Sequence, residues 1–466
     1  MGSGVILDLS VLDGCPLSVN QEQRMARTGA GVTLRALQTD AMRAGLRLPP
    51  DPSSARFATL GGMVSTNAAG PASVAKGSVR NWVQSLELVT ADGEILALQR
   101  GMAPPPVAAV QRFQAGAESM IRNAADLIRE RFPRVRKNSS GYALDAWLSS
   151  GDLLDLFVGS EGTLGIVTEI GWRLEPIPPF RGGLLVGIRN LAELSALVPD
   201  LLDLAPAALE FLDASLLRFV ESRSGIDRYR GLDGLLMMEF EADESQVLEA
   251  RIAAATALLS SRSEDLHAAM DQRSLERLWG IRHAASPLLA SMGESRRSLQ
   301  VIEDACVPPV RIAEYVKAVR AAGERHGVDL VIFGHFGDGN VHVNLQPDIA
   351  TADWEARIGA MLEEVTDAVV ALGGSLSGEH GDGRLRAPLL ERVYGAEILR
   401  LFQELKKAFD PQGILNPGVK LAATDARPLA PLKVGAHSPE IPSGIEHQLR
   451  EIERTAAYSL SRLEIT

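Results

Sequence analysis

Two glycine-rich stretches hold the residue types that do chemistry. The first is Phe333-Gly334-His335-Phe336-Gly337-Asp338-Gly339-Asn340-Val341-His342-Val343-Asn344, and the second is Ser377-Gly378-Glu379-His380-Gly381-Asp382-Gly383. The run Val328 to Phe333 is short, apolar and partly β-branched, so it reads as a buried strand. A second strand is expected from Asn340 to Leu345. Gly337-Asp338-Gly339 forms the turn between them, with glycine supplying backbone angles that other residues resist. His335 precedes this turn and His342 follows it, so the two imidazoles can converge on one ion across the ladder. Two neutral imidazoles and a carboxylate suit zinc, or manganese, iron or cobalt. Glu379 is the obvious third ligand. His380 beside it is then available as a general base that titrates near working pH. The competing reading is plain: a histidine in a strand is more often structural than a ligand. The chain has eight histidines and places three of them in these two motifs, so both readings stay open on spacing alone.

The rest of the chain must position that cluster. Its 466 residues imply two or more domains with ample core. A net charge of −12 argues against nucleic-acid binding. Two cysteines, Cys15 and Cys306, allow neither a disulfide framework nor a four-cysteine cluster within the chain. This usage fits a reducing cytoplasm, with any membrane association made through a partner. No run approaches the roughly 20 apolar residues of a membrane helix, and no signal peptide is expected ahead of the first strand.

In order, Val5 to Leu9 reads as a strand, Arg27 to Thr33 as strand and turn, and Leu34 to Ala44 as an amphipathic helix. Leu48-Pro49-Pro50-Asp51-Pro52 is a stiff extended loop. It leads into Thr59-Leu60-Gly61-Gly62-Met63-Val64-Ser65-Thr66-Asn67-Ala68-Ala69-Gly70. Small residues at this density let backbone amides and hydroxyls approach a ligand such as pyrophosphate, although most such runs are loops or tight packing. Trp82 to Thr90 and Ile95 to Leu98 form a hairpin across Ala91-Asp92-Gly93-Glu94. Residues 104–132 look helical, and 156–169 read as strand, turn and strand. Glu175-Pro176-Ile177-Pro178-Pro179 is a stiff linker and marks a domain boundary. Strands near 184–188, 208–213 and 235–241 then alternate with helices near 191–202 and 244–261, which predicts an α+β domain on an antiparallel sheet. Arg282 offers a planar fork suited to a substrate carboxylate, though a single helical arginine is usually a solvated one, and Ser286 shares its face. Helices are expected at 310–326, 353–372 and 397–408. Beyond Lys420 the composition shifts to Pro, Ala and Ser, a linker, before a helix over 445–463.

His335-Phe-Gly-Asp-Gly-Asn-Val-His342, Ser377-Gly-Glu-His-Gly and the closing run Phe409 to Lys420 together resemble the FAD-dependent D-2-hydroxyacid dehydrogenases. That family includes D-lactate and D-2-hydroxyglutarate dehydrogenases and the flavin subunit of glycolate oxidase. The resemblance spans about residues 4 to 421. Gly378 to Arg384 looks most like the long members with a fused iron–sulfur domain. It implies an α+β protein: a PCMH-type FAD-binding domain over 1–176 and an antiparallel-sheet cap domain over 180–375. A segment at 376–421 returns to the flavin domain, and 422–466 is linker and tail helix. It implies FAD contacts at Pro49, Asp51, Thr59, Gly61, Gly62, Ser65, Asn67, Gly70, Gly162, Gly165, Val167 and Asn416. It also implies a divalent ion, zinc first, on His335, His342 and Glu379. His380 is the implied base, with Arg282, Ser286 and Asn344 on the substrate. The implied reaction is oxidation of a D-2-hydroxy acid to the 2-oxo acid, with electrons leaving to an acceptor or an iron–sulfur subunit.

The chain departs from this pattern in places. The family's FAD domain begins earlier, with an Arg-Gly-Gly-Gly phosphate loop ahead of the strand that here is Val5 to Leu9, so the flavin domain is expected to be truncated. Losing several charge-assisted phosphate bonds at roughly 1.5–3 kcal/mol each lowers FAD affinity by orders of magnitude. The alternative expectation is therefore a FAD-poor, partner-dependent or non-catalytic subunit of a split oxidoreductase. Lys76 stands where the family more often has an aromatic, and Ile302 near its substrate lysine. A flavin-independent metal hydrolase has no nucleophile motif behind it.

Overall fold

In a computed structural model of the chain, residues 4–9, 12, 17–224, 231–263, 265–290, 298–430, 432, 434 and 442–455 are described. The chain divides into two compact units. Met1–Ile177, Asp304–Pro308 and Val369–Pro431 make the first, and Pro178–Glu303, Pro309–Ala368 and Leu432–Thr466 the second.

The first unit is strand-rich early and helical late. Its strands are β1 (Ser18–Asn20), β2 (Met25–Gly29), β3 (Leu46–Arg47), β4 (Val83–Val89), β5 (Ile95–Gln99), β6 (Ile166–Arg173) and β7 (Glu175–Pro176). Five of them form one sheet in the order β1-β2-β6-β4-β5, every neighbouring pair antiparallel. The expected hairpin is present: Gly93 sits at φ 79° and Thr90 N–H donates to the Glu94 carbonyl at 3.0 Å. Along β5 exposed Ile95 and buried Leu96 and Leu98 show the period-2 alternation of a one-sided strand. The helix Leu34–Arg43 starts where Thr33 caps it, its hydroxyl accepting from Ala36 N–H at 3.3 Å.

The late helix Leu390–Phe409 returns to this core. Its Tyr394 and Phe402 meet Phe132 and Tyr142 edge-on, with ring centroids 5.0–5.5 Å apart. A Cβ at Gly141, which holds φ +65°, would lie 2.5 Å from the Phe402 ring, so only glycine fits there.

Several expectations need correction. Val5 to Leu9 is not a strand: no neighbour pairs with it among the described residues, and Val5 is 90% and Ile6 67% exposed. The Gly/Ser run is helical over Leu60–Thr66, because Thr59 caps it by accepting from Gly62 N–H. Leu156 to Val158 closes the short helix Leu154–Phe157 rather than forming a strand. The stretch after 104 breaks into Ala108–Arg112, a π-wound turn at Phe113–Ala117, Glu118–Asn123 and Ala125–Arg131.

The second unit carries β8 (Phe180–Ile188), β9 (Ala208–Asp213), β10 (Gly234–Ala242) and β11 (Leu266–Ala269). Next in the chain, β12 (Ala305–Cys306) belongs to the first unit and bridges Ser375. The second unit resumes with β13 (Asp329–His335) and β14 (Asn340–Gln346). Its strands lie in the order β11-β8-β10-β9-β13-β14, antiparallel throughout. The helices Ser245–Leu259, Gln272–Ala290, Ile312–His326 and Trp354–Ala371 accompany this sheet. All six residues of β9 are buried, including Glu210 and Asp213, which a purely apolar strand would not contain. The tail helix spans Ser443–Thr455, and the rest of the expected 445–463 helix lies outside the described residues. Among the described residues no helix is long and apolar enough to cross a membrane.

Removing the ring at the centre of the aromatic cluster tests the packing of the first unit. Phe402→Ala is expected to cost about 3–5 kcal/mol, read as a lowered denaturant midpoint for that unit.

Candidate active site

Strand register builds the histidine pair. In β9 against β13, Phe333 faces Leu212 and Gly334 faces Phe211, so the next rung brings His335 to Glu210. In β13 against β14, Phe333 faces His342 and His335 faces Asn340. Alternation then puts Glu210, Phe333, His335, His342 and Asn344 on one face of the sheet. The turn between the strands is the short 3₁₀ segment Phe336–Asp338, closed by Gly339 at φ 74°.

The two imidazoles meet edge to face, with Nε2 3.3 Å from Nε2. His335 Nδ1 lies 2.6 Å from the Glu210 carboxylate, and His342 Nδ1 lies 3.5 Å from Glu303 Oε2. An ionised carboxylate accepts, so Nδ1 of His335 is the donor and its Nε2 is the nitrogen that faces His342. Two nitrogens each about 2.0–2.1 Å from one tetrahedral ion stand roughly 3.3 Å apart. The spacing therefore fits a shared cation, and the carboxylate of Glu210 on the distal nitrogen of His335 is the usual support of a metal-bound histidine.

On the helix Gln272–Ala290, Arg282 is buried. Its Nε donates to Glu210 Oε2 at 3.3 Å, and its guanidinium lies 4.3 Å from the centre of the Phe333 ring. This is a held arginine, not a solvated one. Trp279 Nε1 fastens the same helix by donating to Glu239 Oε2 at 2.7 Å. Asn344 Oδ1 accepts from Ser298 Oγ at 3.1 Å. The side chain of Ser286 lies outside the described residues.

In the first unit the Glu379 loop is held from below by a carboxylate. Asp304, itself at φ 78°, accepts from Ser377 Oγ at 2.7 Å, Glu379 N–H at 3.0 Å and His380 N–H at 2.7 Å. Glu161 accepts from Asp382 N–H at 2.6 Å and Gly383 N–H at 2.9 Å. A Cβ on Gly381, at φ +84°, would come within 2.6 Å of that carboxylate. Glu379 Oε2 accepts from Gly70 N–H at 2.8 Å and from buried Lys137 Nζ at 3.1 Å. His380 keeps its imidazole exposed, with Nε2 3.9 Å from Glu379 Oε1.

The expected cofactor residues are stitched to this loop and to one another. Gly70, at φ +122°, would place a Cβ 2.7 Å from the Asp51 backbone, so the Pro49-Asp51 loop packs directly on it. Asp51 accepts from Ala72 N–H at 3.2 Å. Gly61 N–H donates to the Ala30 carbonyl at 2.9 Å. The carbonyl of Ser65 accepts from Glu161 N–H at 2.8 Å, and Asn416 Nδ2 donates to the Glu161 carbonyl at 2.8 Å. Asn67 (φ 54°) spends its side-chain oxygen on Ser78 Oγ at 2.7 Å. Gly165 leaves room for Leu88, and Val167 pairs with Leu88 across the sheet. Gly162, at φ +68°, faces open space where a side chain would stand. That backbone fits a flavin nucleotide that must approach closely.

Sequence reasoning missed Glu210, Glu303, Asp304, Lys137, Glu161 and Lys420. For Glu210 the signal was present: one carboxylate inside Ala208-Leu209-Glu210-Phe211-Leu212.

The comparisons agree with this plan. Residues 1–99 match the family model "FAD binding domain", and residues 177–419 match "FAD linked oxidases, C-terminal domain". An FAD-binding unit combined with an oxidase C-terminal region defines a flavin-linked oxidoreductase. The chain belongs to the FAD-linked oxidase family. It is 33% identical to a D-lactate dehydrogenase of Archaeoglobus fulgidus, over 86% of this chain and 78% of that one. It is 31% identical to the glycolate oxidase subunit GlcD of Bacillus subtilis, over 88% and 78%. It is 28% identical to a D-2-hydroxyglutarate dehydrogenase of Escherichia coli, where 97% of this chain covers 47% of the relative. A solved 4-ethylphenol oxidase from Gulosibacter chungangensis shares the fold at TM-score 0.61 and 17% identity, over 88% of this chain and 78% of that one.

Lys420 gives a test of the loop's support. It is 1% exposed, with Nζ 3.0 Å from Asp382 Oδ2 and 3.1 Å from Glu161 Oε1. Burial works against its charge, but Asp382 and then Glu161 outweigh it and raise the ammonium above the ordinary lysine value. The stability this contributes is fully present below about pH 10.4 and is lost as pH rises through the raised value. Lys420→Met leaves buried Asp382 and half-buried Glu161 without their cation. It is expected to cost about 3–5 kcal/mol at pH 7 and to flatten the alkaline limb of the stability–pH curve.

Proposed function

We propose that this protein oxidises a D-2-hydroxy acid to the 2-oxo acid and passes the electrons to a separate acceptor. The observation that carries this reading is the buried His335–His342 pair, with Nε2 atoms 3.3 Å apart and Glu210 joining it to Arg282. Relatives named for D-lactate, glycolate and D-2-hydroxyglutarate chemistry support the substrate class.

His335 and His342 supply two ligands to a divalent ion, zinc first, and Glu379 the third. A bound ion would make a coordinated hydroxyl more acidic, and FAD would supply the hydride-accepting chemistry. Arg282 pairs with the substrate carboxylate as a planar, permanently charged donor. Asn344, with Ser286, orients the substrate oxygens. His380 takes the hydroxyl proton, a role its exposed imidazole leaves it placed to fill. Asp304 holds the His380 backbone in place. Pro49, Asp51, Thr59, Gly61, Gly62, Ser65, Asn67, Gly70, Gly162, Gly165, Val167 and Asn416 line the FAD.

A panel of 2-hydroxy acids with an artificial electron acceptor tests the proposal, and no turnover of any of them by flavin-loaded protein would refute it. His380→Asn is expected to slow substrate reduction of the flavin by about 10²–10⁴-fold in anaerobic stopped flow, with the flavin spectrum retained. Chelation of the divalent ion is expected to abolish turnover, and zinc, manganese or cobalt to restore it. Activity that survives complete metal removal would eliminate the ion from the reading.

A further inference from the structure

Glu210 is fully buried, on a strand that is otherwise apolar apart from its terminal Asp213. Burying a lone carboxylate there is costly unless it is paired and hydrogen-bonded. Both conditions are met by residues with roles of their own. One oxygen takes the Nδ1–H of His335 at 2.6 Å, and the other takes the Nε–H of Arg282 at 3.3 Å. The two partners come from different elements, His335 from the end of β13 and Arg282 from the helix Gln272–Ala290.

We infer that Glu210 is a positioning residue that orients the His335 ring and the Arg282 fork with one carboxylate. It thereby couples metal affinity to recognition of the substrate carboxylate. The inference rests on the proposed function, because it takes His335 as a ligand and Arg282 as the carboxylate partner. The bond from Nδ1 to Glu210 orients the ring and leaves Nε2 as the nitrogen that a metal would take. The same charge holds the Arg282 guanidinium over Phe333, 4.3 Å from its ring centre. Glu239, on the neighbouring strand β10, holds other partners, Arg181 at 2.9 Å and Trp279 at 2.7 Å, and serves as the control.

The test uses the full flavin-containing chain, stripped of metal and dialysed against cobalt(II) alone, with bound cobalt counted per chain. Glu210→Gln is expected to bind cobalt about 10- to 100-fold more weakly than wild type. At saturating cobalt it should also raise KM for the 2-hydroxy acid more than it lowers kcat. Glu210→Asp, which keeps the charge on a shorter arm, should recover part of both losses and covers the case in which the Gln variant folds poorly. Glu239→Gln should keep wild-type cobalt affinity. Wild-type cobalt binding by Glu210→Gln, or an equal loss in Glu239→Gln, overturns the inference while leaving the metal reading intact. Wild-type cobalt binding by His335→Ala overturns the metal reading itself, and this inference with it.

Discussion

The period-2 alternation of three adjacent strands is the constraint on which the second unit's cluster of buried polar side chains depends. Because β9, β13 and β14 are locked in antiparallel register, Glu210, His335 and His342 project from one face, each within reach of the next. A slip of one residue would send all of β13's side chains to the opposite face and break the pair. Burial is what makes the register strict: the middle of this sheet is buried on both faces and gathers its polar side chains on one of them, so few alternative pairings keep those residues together.

The first unit solves a different problem with the same economy. A loop rich in glycine has little rigidity of its own, and this one carries Glu379 and His380. Asp304 from one chain segment and Glu161 from another accept its backbone amides, while Asp382 accepts from Ser140 Oγ at 2.5 Å and Gly141 N–H at 2.8 Å. So many buried carboxylates require a cation, and Lys420 supplies it. Charge inside this unit therefore works as a fastening between distant parts of the chain rather than as a surface feature.

Much of the fold was legible from local pattern. The β4–β5 hairpin announced itself through Asp92-Gly93, and the second unit's antiparallel α+β character through short strands alternating with Ala- and Leu-rich helices. The approach of His335 to His342 followed from a glycine turn set between an apolar run and a second strand. What could not be read was whatever needs a partner far along the chain. Val5 to Leu9 has strand composition but no neighbour among the described residues, and a strand is defined by its neighbours. Thr59 to Gly70 has the composition of a loop, yet a single threonine cap turns its first half into helix. Leu266–Ala269 became a strand only because β8 offers an edge. Glu210 and Lys420 carry no local signature of role, since each is defined by residues from other segments.

The first unit is assembled from three separated pieces of chain, and this bears on how it comes into being. As the polypeptide emerges from the ribosome, its opening 177 residues lack Tyr394 and Phe402, the rings that complete their aromatic core, and Lys420, the cation that neutralises Glu161. Those groups arrive only after nearly the whole second unit has been synthesised. Closure of the flavin-binding unit is thus a late, long-range event with a large loop-closure cost. A nascent chain halted before Tyr394 would carry an unfinished hydrophobic surface that needs chaperone protection.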